Sequence, residues 1–186
     1  MTGVQVENII VSFSVSSALD LSKLAEVLPD SQYHPDDAPA IILQFPHPHS
    51  MAALSSSGSV VLTGSKNMEE VHDVVKMVMD RLNIVGVECV ESPELLVQNV
   101  TVSIDLCQEI KLRSLAKFLQ IPEYSPRVFP GLVYKGEDPN TVILLFDSGK
   151  MVCNGKSVEE ATVAVKKMVE KLVSFGIKME ENVCQK

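Results

Sequence analysis

From Val6 to Phe13 apolar and polar residues alternate: Ile9, Val11 and Phe13 fall on one side, Val6, Asn8, Ile10 and Ser12 on the other. A period of two over eight residues predicts a strand. Leu21, Leu24, Ala25 and Leu28 then recur at helical spacing, with Asp20 as a suitable N-cap. Turns and short strands follow, and Asp147-Ser148-Gly149 marks a hairpin between the runs Val142–Phe146 and Lys150–Cys153. A long amphipathic helix closes the pattern. Its stripe is Ala161, Ala164, Val165, Met168 and Leu172, its capping box is Ser157-x-x-Glu160, and Gly176 is its stop.

The pattern occurs twice. Val6-Glu7-Asn8-Ile9 returns as Val97-Gln98-Asn99-Val100, Tyr33-x-Pro35 as Tyr124-x-Pro126, and Ser57-Gly58 as Ser148-Gly149, all at an offset of 91. The strand Val97–Ile104, the helix residues Leu112, Leu115, Ala116 and Leu119, and the earlier stripe Val71, Val74, Val75, Val78 and Leu82 before Gly86 are the corresponding elements. The offset drops to 90 after Gly64 and Gly155, where Lys66-x-x-Glu69-Glu70 pairs with Lys156-x-x-Glu159-Glu160. Direct repetition over this length means two copies of one unit, 1–91 and 92–186, related by a pseudo-dyad. Each unit reads strand, helix, about four strands, helix. Short strand connections require mostly antiparallel pairing. With the helices on one face, the other face of the sheet is left bare, an α+β arrangement.

That bare face is unusual in content. The outward set Val97, Asn99, Thr101 and Ser103 mixes aliphatic groups with an amide and hydroxyls, where a merely solvated face would carry Lys and Glu. Composition adds constraints. The 186 residues carry a net charge of −8, which opposes unspecific attraction to phosphate. No apolar run approaches the ~18 residues of a membrane span, and the N-terminus lacks the pattern of a secretory leader. Cys89, Cys107, Cys153 and Cys184 form no C-x-x-C pair, so reduced intracellular thiols are expected rather than zinc. His47-Pro48-His49 has no third ligand nearby in sequence and reads as a polar loop. Glu69-Glu70 and Glu159-Glu160 open helices, where carboxylates favour the dipole, so they are caps and not a catalytic pair. No nucleophile–base set and no phosphate-cradling glycine loop is present, which excludes the common enzyme classes and predicts no cofactor and no small-molecule substrate.

Val97-Gln-Asn-Val100, Phe129-Pro-Gly-Leu-Val-Tyr-Lys135 and Leu145-Phe-x-Ser-Gly-Lys-Met-Val152 with Gly155-Lys-Ser157 resemble the TATA-binding protein family, archaeal forms best. The resemblance implies a saddle: a curved ten-stranded antiparallel sheet, four helices on its convex back, and a concave underside on the DNA minor groove. It implies a transcription initiation factor that bends TATA promoter DNA, recruits transcription factor B and RNA polymerase, and works in the cytoplasm or nucleoid of an archaeon. Asn8 and Asn99 match the family's central asparagines, which donate to the acceptor-only edges of A·T pairs. Ile10, Val61, Thr63 and Val152 match groove-lining positions, and Thr101, Leu144 and Asn154 fall on the same surface. Phe129 and Phe146 match the wedge that enters a base step; Lys135 and Lys150 match cations that meet phosphate. Ser125, Arg127 and Val128 fall in the stirrup that docks transcription factor B.

The chain also departs from the family. Ala38, Ser55, Gln44 and Ser59 are the twins of Phe129, Phe146, Lys135 and Lys150, so the first copy has neither wedge nor cation. Lys135 replaces the usual arginine and loses its bidentate fork. Ser125 and Arg127 replace acidic residues, Asn154 stands where the first copy has Thr63, and Thr101 stands where the family prefers valine. A divergent paralogue is expected, with a degenerate first-copy DNA surface. The rival expectation is an interaction module that keeps the scaffold without binding TATA DNA by itself.

Overall fold

The computed structural model describes residues 3–136 and 140–177. Cys184 and the end of the second repeat lie outside the described residues. The elements in chain order are β1 (Gln5–Ser14), α1 (Leu21–Val27), β2 (Ser31–Tyr33), β3 (Ala40–Phe45), β4 (Ser50–Ser55), β5 (Ser59–Ser65) and α2 (Met68–Ile84). The second series is β6 (Leu96–Asp105), α3 (Leu112–Phe118), β7 (Leu132–Lys135), β8 (Val142–Leu145), β9 (Lys150–Gly155) and α4 (Val158–Phe175). The strands pair in the order β2-β3-β4-β5-β1 in the first series and β6-β9-β8-β7 in the second. Two compact units emerge, Asn8–Gln98 and Met1–Glu7 with Asn99–Lys186.

Nine strands are formed among the described residues, one fewer than the ten expected. The missing one is the twin of β2. In the first unit Ser31, Gln32 and Tyr33 pair with Leu43, Ile42 and Ile41. Pro122 occupies the position equivalent to Ser31. The chain there forms turns instead.

In the unit 8–98, Ile9, Val11 and Phe13 of β1 meet Ile41, Leu43, Ala52, Leu54, Val60 and Leu62, all buried. Leu21 and Leu24 of α1 and Val71, Val74, Val75, Val78 and Leu82 of α2 complete this core. The other unit repeats it with Val100, Val102, Ile104, Leu132, Ile143, Leu145, Met151 and Cys153 under α3 and α4. Each such aliphatic side chain contributes about 1.5–3 kcal/mol on burial. The α4 stripe differs in one detail: Val169 is buried, while Ala164 is half-exposed.

Local signals set the element ends. Asp20 accepts from the Lys23 N–H at 3.2 Å and caps α1. Asn67 caps α2 by accepting from Glu70 N–H at 2.8 Å, and Glu70 accepts in return from the Lys66 N–H. Ser157 and Glu160 repeat the exchange at α4. Gly176 ends α4 at φ 104°, in the left-handed region that glycine enters without steric cost.

Candidate nucleic-acid interface

The face of each unit away from its helices is built by strand alternation. In the unit containing α4, Lys135, Val142, Asn154 and Thr101 form one cross-strand row, because Lys135 pairs with Val142, Val142 with Asn154, and Asn154 with Thr101. Val133, Leu144, Val152 and Ser103 form the next row by the same ladders. All nine residues expected on this surface in the second copy (Asn99, Thr101, Phe129, Lys135, Leu144, Phe146, Lys150, Val152, Asn154) are half-buried or exposed, while their sequence neighbours in the strands are largely buried.

The corresponding rows in the unit 8–98 are Gln44, Met51 and Thr63, then Ile42, Ala53, Val61 and Ser12. Ile10 lies at a bulge between Ile9 and Val11. Val61 is 44% exposed and Met51 39%. Val133, Val142, Ile42, Met51 and Ala53 share these rows and were missed by sequence reasoning. Counting two residues along each short strand from a recognised position would have found them.

The polar groups on this surface are tied into small local networks. Asn8 Nδ2 donates to Thr63 Oγ1 at 2.9 Å, and the Gly64 N–H donates to Asn8 Oδ1 at 2.7 Å. In the other unit Thr101 Oγ1 donates to Asn154 Oδ1 at 2.7 Å, with Asn99 Nδ2 3.5 Å from the same oxygen. An amide nitrogen carries two hydrogens. Asn8 therefore keeps one donor beyond its bond to Thr63, and the Asn154 Nδ2 donates to no described group. Lower down, Gln98 Nε2 donates to Ser12 at 2.7 Å, and Ser103 donates to Glu7 at 2.5 Å.

Phe129 and Phe146 come together at the end of β7 and β8. Their ring centroids are 6.2 Å apart and inclined at 64°, an edge-to-face pair. Phe129 is 38% exposed. Gly131 makes room for them: a Cβ there would lie 2.7 Å from Phe129 Cε1 and 3.1 Å from Phe146 Cε1. Lys150 is adjacent through the Phe146 N–H, which donates to the Lys150 carbonyl at 3.0 Å.

The pairing registers make the comparison between copies exact to the residue. Gln44 opposite Met51 repeats as Lys135 opposite Val142, and Ile41 opposite Leu54 repeats as Leu132 opposite Leu145. Ala38 and Ser55 thus occupy the phenylalanine positions. Ala40, which pairs with Ser55, occupies the position of Gly131. Phe45 is no substitute: it is buried on the helix side, with the Arg81 guanidinium 4.6 Å from its ring centroid. Ser125, Arg127 and Val128 lie in an exposed turn closed by Val128 and Phe129 N–H groups on the Ser125 carbonyl.

This arrangement of repeated sheets has counterparts. The family described as transcription factor TFIID (or TATA-binding protein, TBP) matches residues 3–85 and 94–175. The chain belongs to the TATA-binding protein family. It is 39% identical to the TATA-box-binding protein of Thermococcus sibiricus over 95% of this chain and 96% of that one. It is 36% identical to TATA-box-binding protein 2 of Haloferax volcanii over 94% and 95% of the two chains. The solved structure of Methanococcus jannaschii TBP superposes with a TM-score of 0.81 at 34% identity, covering 92% of this chain and 99% of that one. The two matched segments begin at residues 3 and 94, which is the 91-residue offset again. The TATA-binding family is one of transcription factors, not enzymes. No helix among the described residues is long and apolar enough to cross a membrane.

Proposed function

We propose that this protein is a transcription initiation factor that binds the minor groove of TATA-type promoter DNA through an asymmetric surface. The second copy supplies the wedge and the cations, and the first supplies apolar contact with the spare amide donor of Asn8. The observation that carries the reading is the Phe129–Phe146 pair, exposed at Phe129 and half-buried at Phe146, held beside Gly131 in one copy, against Ala38, Ser55 and Ala40 in the other. An apolar face with a few spare amide donors suits a groove edge that offers only acceptors at A·T pairs. Insertion of the rings costs a few kcal/mol of base unstacking, offset by the contact that bent DNA allows, behaviour for which this family is itself the standard example. Lys135 and Lys150 are suited to phosphate. Ser125, Arg127 and Val128 form the docking turn for transcription factor B, through which RNA polymerase is recruited.

The stripped first-copy surface favours a second reading, a TATA-binding-family protein that acts through protein contacts and no longer binds TATA DNA alone. A gel-shift series with a TATA duplex, with and without transcription factor B, separates the two. The first reading expects a salt-sensitive complex without the factor, lost in Phe146→Ala. No complex at any salt concentration, with or without the factor, refutes the DNA-binding reading.

A further inference from the structure

The repeat offers an internal comparison of charge away from the wedge. Residues 111–129, comprising α3 and the turns after it, carry Lys111, Arg113, Lys117 and Arg127 against Glu123, a net charge of +3. Their twins 20–38 carry Asp20, Glu26, Asp30, Asp36 and Asp37 against Lys23, a net charge of −4. Three of the changes fall at one place: Arg113, Lys117 and Arg127 stand where the first copy has Ser22, Glu26 and Asp36. In a chain of net charge −8 such a local excess of cations is selective, not a reflection of composition.

These three cations line one open groove of about 840 Å³. Arg113 and Lys117 are one helical turn apart on the exposed side of α3, whose opposite side buries Leu112, Leu115 and Ala116. Ala116, Ile121, Pro122, Tyr124 and Pro126 supply most of the remaining lining, and its other polar groups are the Tyr124 and Ser125 hydroxyls and the Gln120 amide. Desolvation raises the pKa of Tyr124, nearby Asp147 raises it further, and Arg113 acts in the opposite sense, so both charges face this ring. Arg113, Lys117 and Arg127 make no ion pair with one another's neighbours or with any other described residue.

We infer that the groove between α3 and the Pro122–Arg127 turns binds an acidic segment of a partner protein in which apolar residues are interspersed with carboxylates. Cations at the rim and an apolar, proline-stiffened floor complement that chemistry. Charge complementarity of this kind sets partner choice and on-rate. The floor argues against a nucleic acid as the occupant, because Tyr124 is the single aromatic side chain available for stacking. This deepens the partner-docking part of the proposed function: the factor that docks here must present acidic residues. It does not depend on the DNA-binding part. Between the two copies the charge sign also gives direction, since the first copy repels the same segment.

The test uses the full chain and fluorescence anisotropy of a labelled peptide of Glu-Glu-Leu repeats, with a Lys-Lys-Leu peptide of equal length as control. The acidic peptide binds, weakens as salt rises, and loses about tenfold or more in affinity with Arg113→Glu plus Arg127→Glu. Lys117→Ala, a truncation on an exposed helical side, lowers it by a smaller factor and guards against a misfolded double variant. Glu26→Ala plus Asp36→Ala in the first copy changes it less than about twofold. The inference is overturned if the two peptides bind equally, if the double variant binds as the parent does, or if a random-sequence duplex displaces the peptide and shows the same losses across the variants. The last outcome makes the groove a nucleic-acid site. TATA-duplex binding by the parent is measured separately, so a failure of the DNA reading is distinguishable from a failure here.

Discussion

Gly131→Ala isolates the role of the phenylalanine pair, because the glycine is required for space and not for backbone conformation. Its φ is not in the left-handed region, whereas Gly58, Gly64 and Gly149 have φ of 76°, 106° and 90°. Adding a Cβ at those three would collide with backbone oxygens of Ser16, His49 and Gln108. At 131 the collision at 2.7 Å is with the far edge of the exposed Phe129 ring, which can swing away. The Leu145 carbonyl oxygen, 3.2 Å from the added Cβ, must also give by a few tenths of an ångström, and loss of the edge-to-face pair costs about 0.5–1.5 kcal/mol of stability. The displaced ring no longer stands beside Phe146, so both DNA affinity and bending fall. A deficit of about 1.4 kcal/mol in binding reads as a tenfold rise in Kd. Denaturant unfolding and a fluorescence-based bend measurement on a TATA duplex are made on the same preparation. If Gly131→Ala binds and bends the duplex as the parent does, the rings are not held for insertion by this glycine and the reasoning fails.

Because Ala40 fills the Gly131 position in the first copy, Ala38→Phe plus Ser55→Phe should gain little alone. With Ala40→Gly, Gln44→Arg and Ser59→Lys added, affinity rises and the bend grows towards the ~80° for which the family is known; equal bends with and without Ala40→Gly would contradict the packing argument. Lys150→Ala weakens DNA binding and lowers the salt slope by about one, read from Kd across a salt series; an unchanged slope would place Lys150 away from phosphate. Burial, and then Glu160, raises the Cys153 thiol from its ordinary 9.0 to about 11. In the native protein it therefore resists thiol reagents at pH 8 while exposed Cys107 reacts. Above pH 9 the unfolded thiol ionises and the folded one does not, so this contribution to stability is intact below pH 9 and is lost as pH rises towards 11. Cys153→Ser should flatten that part of the stability profile, and a parent profile already flat between pH 9 and 11 would contradict the shift.

Much of the protein was legible in its sequence. The elements were, because periodicity and capping are local: Asp20, Ser157 and Gly176 act within one turn of themselves, and each fell where expected. The repeat made the losses at Ala38, Ser55, Gln44 and Ser59 readable from the sequence, and the strand registers keep Gln44 and Ser59 in places equivalent to Lys135 and Lys150. The opposite charges of residues 20–38 and 111–129 were equally present in the sequence, but only the shared groove gave Arg113, Lys117 and Arg127 a common purpose.

What tertiary structure alone decided depends on residues that are neighbours across the sheet and distant along the chain. The second copy lacks the twin of β2, whose ladder would have been with β7, a pairing no local window contains. Val133 and Val142 joined the bare face through ladders with Leu144 and Asn154, set by register. The dependence of Phe129 and Phe146 on Gly131 appeared only when the rings were 6.2 Å apart with no Cβ between them. A side chain's periodicity is written in its own segment, but the space it occupies is defined by atoms that arrive from elsewhere, and packing leaves little slack to hide a methyl group.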